Sequence, residues 1–458
     1  MKALQTTLII ITILSLSFSN AFAQKEKIYK ASPFQISLLS PIGSNGLDSD
    51  DYVNNLSWNI IWGVSAGLNG IEIGGIGNTE TDFVRGVQLA GVFNMVGKTV
   101  EGIQISGLIN IVGGEVRGLQ IADFGNFNGD DTNGVQYAGF MNVVNGKFRG
   151  IQSAGFMNIS NKGLKGIQLS GFGNYNGKQT KGVALAGFMN QTETLKGLAV
   201  GGFMNTAENN KGVQVAGFMN IAESSKGMQL GGFMNVAESS KGLQWSGFMN
   251  IAEHIRGIQW SGFMNIAKKV NGVQIGFVNI ADEYESGIPI GLLSFVKDGF
   301  QDIEIGYSPA LSMVASYKTG IDKFYNIISL GTQFTTPDVR WAIGYGFGTR
   351  FNMGSYLTGS MELISYSIHE SYEYVEHHTH GKRHKDINQL TQILITLEGK
   401  VAGSMKWFAG PTFNFHESSD FFNSNNPKSD FAPWSVYQGV NGKTSLTMWP
   451  GFRVGIRL

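Results

Sequence analysis

The chain has no cysteine among its 458 residues and only 9 prolines. Without thiols it can hold no disulfide framework, no thiolate metal site and no lipidated cysteine behind a leader. Charge bias is missing as well: 34 basic and 34 acidic side chains give a formal net charge of zero. That argues against nucleic acid as a partner, which would need a basic excess on some face. Long hydrophobic runs are absent too. Beyond the N-terminus no stretch reaches the ~18 uninterrupted apolar residues of a membrane helix, so a membrane location would require β-strands. G-x-x-x-x-G-K-[ST] does not occur, so the glycine-rich text offers no phosphate cradle.

What is present begins with a leader. Residues 1–23 carry Lys2, an apolar stretch over 8–18 and Ala21-Phe22-Ala23, which predicts a secretory signal cleaved before Gln24. Residues 24–66 read as a polar tail and then strand candidates at 34–39 and 56–65, the second holding Trp58 and Trp62. These strands could cap the neighbouring segment that begins at 67 or belong to the C-terminal domain.

Over 67–299 one phrase repeats. Residues 212–226 read G-V-Q-V-A-G-F-M-N-I-A-E-S-S-K, and 227–241 read G-M-Q-L-G-G-F-M-N-V-A-E-S-S-K. The opening glycine falls at 70, 86, 102, 118, 134, 150, 166 and 182, sixteen apart, then at 197, 212, 227, 242, 257, 272 and 287, fifteen apart. Asn205, Asn220, Asn235, Asn250 and Asn265 keep step with Gly212, Gly227, Gly242 and Gly257. The lost residue comes from the polar connector, which marks a surface turn. A unit this short cannot bury a core of its own, so copies must stack. The pattern predicts a β-solenoid: one copy per coil, Gly217 a corner, coils ~4.8 Å apart. By period two, Val213 and Val215 would point inward and Gln214 outward. The asparagines would form a hydrogen-bonded ladder. The alternative makes each copy one membrane-spanning strand, but then Phe218 shares the lumen side with Gln214 and Asn220.

From about residue 300 the repeat stops. In Arg340–Asn352, Trp341, Ile343, Tyr345, Phe347 and Phe351 share one face, opposite Ala342, Gly344, Gly346, Gly348 and Arg350. The last strand sets Phe452, Val454 and Ile456 opposite Trp449, Arg453 and Arg457. An apolar, aromatic face opposite a small and polar one is the dyad of a transmembrane β-barrel strand. Eight such strands are expected, at 302–308, 310–318, 323–334, 340–352, 355–368, 389–400, 404–416 and 445–458. The fold class is therefore all-β: a solenoid of 15–16-residue coils, then a small antiparallel β-barrel over 300–458.

The phrase G-[VIL]-Q-[VIL]-[AGS]-G-F-M-N-[IV], with S-W-N-I-I-W-G at 57–63 and G-I-D-K-F-Y-N-I at 320–327, resembles a family of surface-repeat proteins from bacteria with an outer membrane. The resemblance covers about residues 34–458. It implies a cell-envelope location and carries no established activity. Copies with Ala184 and Ala199 in place of glutamine, or Tyr175 after Asn174, keep the frame.

Other constellations read blandly. His377, His378, His380 and His384 form a metal-like cluster in a polar loop without rigid ligand spacing. Glu208, Glu223, Glu238 and Glu253 run beside Lys211, Lys226, Lys241 and Arg256, as a solubilising edge would. Trp245 and Trp260 occupy the Val215 column and would be core. No catalytic residue and no cofactor is expected. The expectation is a non-enzymatic surface repeat protein, structural or partner-binding, anchored in the outer membrane of a Gram-negative bacterium. Its partners would be membrane lipid and a surface ligand or protein. The alternative is an outer-membrane channel or transporter in which the repeats are barrel strands.

Overall fold

A computed structural model describes residues 28–334, 340–354, 356–370, 388–419, 432, 434–441 and 444–458. The leader reading at 1–23 and most of the two long polar connections lie outside the described residues. The chain divides into two compact units, Met1–Ile251 and Ala252–Leu458.

The first unit is a parallel β-solenoid. Each copy supplies two strands, such as Val213–Ala216 and Met219–Ser225, joined at a bend over Gly217 and Phe218. Pairing is parallel and in register, so a residue sits on its own counterpart: Gln214 on Gln229, Val215 on Leu230, Asn220 on Asn235. Parallel stacking is the solenoid geometry; a strand-per-copy barrel would pair antiparallel. The step from sixteen to fifteen falls between Asn176 and Gln179, in the connector. Glycine is required where coils meet: Gly134 has φ of +148° and a Cβ there would run into the Gly118 carbonyl.

Tyr52–Gly74 forms the first full coil, and Lys30–Leu39 lies parallel on its open edge. The N-terminal strands thus cap the solenoid, covering an edge that would otherwise invite pairing with other chains.

The interior corrects the expected orientation. Gln214, Ala216, Asn220, Ala222 and Ser225 are buried, whereas Val213, Val215, Phe218, Met219 and Ile221 line the half-exposed outside. Two short strands leave a narrow lumen that small side chains fill. Amides are tolerated there because each finds its partner in the next coil. Trp245 and Trp260 share the Val215 column and are 51% and 50% exposed, so they are surface and not core.

The second unit begins with further coils, including Met264–Ile275, Val278–Ile290 and Leu293–Val296. It continues as an antiparallel barrel. Phe300–Tyr307, Met313–Ile321, Phe324–Gln333, Arg340–Asn352, Leu357–Glu370, Asn388–Ala402, Met405–Ser419 and Thr444–Arg457 pair in order. The last returns to the first, with Ile305 opposite Ile456, and closes the ring. A ninth strand, Tyr437–Asn441, forms a hairpin on the far end of Thr444–Arg457. Within this unit the barrel's end caps the final coil. Thr319 Oγ1 donates to the Ser294 carbonyl (2.7 Å), and Asn326 Nδ2 and Tyr345 OH donate to that of Gly291 (2.6 and 2.9 Å).

Candidate functional site

Three features carry whatever chemistry the molecule has: the amide ladders, the outer columns of the solenoid and the barrel interior.

Asn205 Nδ2 donates to Asn220 Oδ1 (2.9 Å) and to the Val215 carbonyl (2.7 Å). Asn220 does the same to Asn235 (2.9 Å) and Leu230 (2.8 Å), and Asn235 to Asn250 (2.9 Å) and Trp245 (2.7 Å). Asn265 pairs onward with Asn279 at 3.0 Å. Both amide protons are used at each rung, so burial leaves no orphan donor. The glutamine column runs the other way. Gln229 donates back to Gln214 (3.1 Å) and Gln244 to Gln229 (2.9 Å). Gly227 and Gly242 stack against the backbone of the preceding opening glycine, and Gly257 has φ of +148°.

Such a directional ladder has ends, and they are closed by different chemistry. At its start Gln88 donates to Glu72 Oε2 (2.8 Å), a carboxylate standing in the glutamine column. In the second unit the glutamine column has its own end, where the hydroxyl of Tyr284 donates to Gln274 Oε1. Burial raises the Tyr284 hydroxyl well above its ordinary range, so it stays a donor. Where Ala184 and Ala199 interrupt the column, Asn176 Nδ2 closes the upstream segment on Gln168 (2.8 Å), and buried Leu195 fills space beside Ala199.

The outer columns are apolar except at one edge. Glu223 and Lys226 stand exposed at the connector, opposite the Gly217–Phe218 corner. At that corner the phenylalanines stack ring on ring from Phe124 to Phe248, centroids 4.8 to 5.1 Å apart and interplanar angles of 1° to 15°. In the second unit Lys268 Nζ reaches Glu253 one coil back (2.6 Å).

The barrel has the opposite polarity to a soluble one. Ile303, Ile305, Ile343, Phe347, Phe452 and Ile456 face outward and exposed. Inside, Lys318, Arg453 and Arg457 meet Glu304, Glu362 and Glu398, three cations against three carboxylates. Lys318 Nζ lies 2.6 Å from Glu362; Arg453 and Arg457 lie 2.7 and 2.8 Å from Glu304; Arg457 also reaches Glu398 at 2.5 Å. Arg350 makes a further ion pair with Glu398. Tyr325 OH donates to Glu362 (2.7 Å) and Arg453 Nη1 to Tyr366 OH (3.2 Å). Gly344 and Gly348 leave room for these tyrosine rings, since a Cβ would come within 2.5 and 2.6 Å of them.

His377, His378, His380 and His384 lie outside the described residues. Among the described residues no group of three or more His, Asp or Glu is placed to hold a metal ion. Among them also no helix is long and apolar enough to cross a membrane. No family model matches the chain, and no characterised protein or solved structure is significantly similar to it. It is a β-solenoid repeat protein with an appended barrel.

Proposed function

We propose that the protein is a non-enzymatic repeat protein of a bacterial outer membrane, with the barrel as anchor and the solenoid as the displayed, partner-binding part. One observation carries this reading: the barrel exposes isoleucine, phenylalanine and valine on its outside and buries Glu304, Lys318, Glu362, Arg453 and Arg457 within. In water that arrangement forfeits the burial of every outward side chain; in lipid it is the stable one. The secretory reading of residues 1–23 supports export, and the apolar outward side chains support anchoring without a lipidated cysteine.

A channel fits the same exterior less well. Trp449, Arg453, Arg457, Tyr325 and Lys318 are fully buried within the barrel and ion-paired or packed across it. Two measurements test the proposal. The full chain should resist alkaline extraction from membranes and shift its gel mobility on boiling, as folded membrane barrels do. In a planar bilayer it should give no stepwise currents. Release by carbonate would remove the anchor, and open currents at neutral pH would favour the channel.

A further inference from the structure

The phenylalanine ridge serves neither the solenoid's interior nor the barrel's anchoring face. Its rings do not fill the core; Phe140 is 39% exposed and Phe233 37%. We infer that the solenoid pairs with the solenoid of a second copy of this chain along this ridge and the aliphatic columns beside it. The inference does not depend on where the barrel resides.

Area is the first argument. An aromatic side chain presents ~200 Å², so a ring exposed to this extent leaves ~75 Å² uncovered. Seven of the nine rings from Phe124 to Phe248 are exposed to this extent and Phe172 and Phe218 less, so the ridge offers about 500–700 Å², most of the ~800 Å² each partner gives to a standard stable interface. The Val213 and Val215 columns extend it, and apolar patches beyond a few hundred Å² mark interaction surfaces.

Period is the second. Rings spaced 4.8 to 5.1 Å apart form a ruled surface. A partner with any other spacing slips out of step within a few rungs, whereas a second copy matches along the whole length. In-register ladders of identical side chains are the ones that interdigitate into dry interfaces. A bilayer would also accept an apolar ridge, but a liquid has no use for the spacing.

Charge and rigidity are the third and fourth. The Glu208, Glu223 and Glu238 and the Lys211, Lys226 and Lys241 columns stand at the opposite edge, so two ridges approach without bringing like charges together. Phe218 and Phe233 stack within 1° of parallel, and rings already held by their neighbours lose little freedom on docking.

The lack of native cysteine makes the test direct. Phe203→Cys places one thiol on the ridge, and Glu208→Cys places one on the charged edge. Each full chain is mildly oxidised at high dilution, both in phosphatidylcholine vesicles and in non-ionic detergent without lipid. Phe203→Cys should run mainly as a disulfide-linked dimer, and Glu208→Cys should give no more than about a tenth as much. By sedimentation the unmodified chain should be a dimer, and Phe188→Glu/Phe203→Glu/Phe218→Glu a monomer with unchanged β-sheet circular dichroism. If the triple variant fails to fold, the cysteine pair still decides. Equal cross-linking at both positions would overturn the inference, as would none at the ridge. So would quenching of a dye on Phe203→Cys by nitroxide-labelled acyl chains, which would place the ridge in lipid.

Discussion

Glu72 and Glu80 are both fully buried in the first coils, with no cation beside them among their hydrogen-bond partners. Glu72 takes the glutamine column, and its two oxygens accept from Asn59 Nδ2 and Gln88 Nε2, each at 2.8 Å. Glu80 stands where the next coil has Val96. Burial above all, then the neighbouring Glu72 charge and a hydrogen bond with it, push the Glu80 carboxyl well above the carboxylate range; the Ser65 hydroxyl opposes this. Glu80 therefore holds a proton that it would lose in the unfolded chain above pH ~4.3. With the folded pKa raised, the stabilising share is complete below the unfolded pKa and is lost as pH rises toward the folded one. Through that window stability should fall by up to ~1.4 kcal/mol per pH unit. Glu80→Gln is neutral throughout and should abolish the slope, leaving the variant the more stable at pH 8. The assay is hydrogen exchange, corrected for intrinsic rates, at amides of Lys30–Leu39 and Tyr52–Gly74 between pH 5 and 8. A slope that persists in Glu80→Gln, or stability that rises with pH in the unmodified chain, would refute the reasoning.

Three further outcomes are expected. Ala199→Gln restores a rung but overpacks against Leu195, costing about 1–3 kcal/mol in thermal melts, and Leu195→Ser in the same chain should recover most of it; equal losses would contradict the space-filling role. Gly134→Ala, at φ +148° and facing the Gly118 carbonyl, should cost more than ~1 kcal/mol, while Ser224→Ala stays within ~0.5 kcal/mol in the same urea titration. Arg457→Met strips a shared cation from Glu304, Glu362 and Glu398 and should cost about 3–5 kcal/mol, read as a lower urea midpoint for unfolding of the barrel; an unchanged midpoint would deny the network a structural role.

Much of this fold is written in the sequence. The fifteen- and sixteen-residue periods give the coil, and the missing residue locates the connector. Strict alternation in Arg340–Asn352 gives the barrel strands and their two faces. The inside of the solenoid is harder to read. Period two separates Val213 and Val215 from Gln214 but does not say which set faces in, and the usual preference for buried apolar side chains gives the wrong answer. A signal was available within the chain. Across copies the asparagine holds still and the glutamine holds in most, while their outward neighbours drift among valine, isoleucine, leucine, methionine, tyrosine, serine and tryptophan. A side chain that must hydrogen-bond to its own counterpart cannot drift. Trp245 and Trp260 belong to the drifting set, and that alone would have placed them outside. Glu72 and Tyr284 could not have been assigned without the register, because each acts only as the end of a column.

That division of labour bears on what the surface is for. A lumen built from amides is stable only while every rung has its partner, since a single buried unpaired amide costs ~1–3 kcal/mol. The interior is therefore bound to uniformity, and the two alanine rungs survive because Asn176 and Leu195 close the ends and fill the gap. The exterior is under no such rule. Its columns change along the length, from Tyr137 and Ser153 to Trp245, while the phenylalanine corner does not change from Phe124 to Phe248. No hydrogen bond requires that constancy, and the rings are too exposed for core packing to require it. A uniform column on a variable surface needs a cause outside the coil, and a partner that meets every rung alike supplies one.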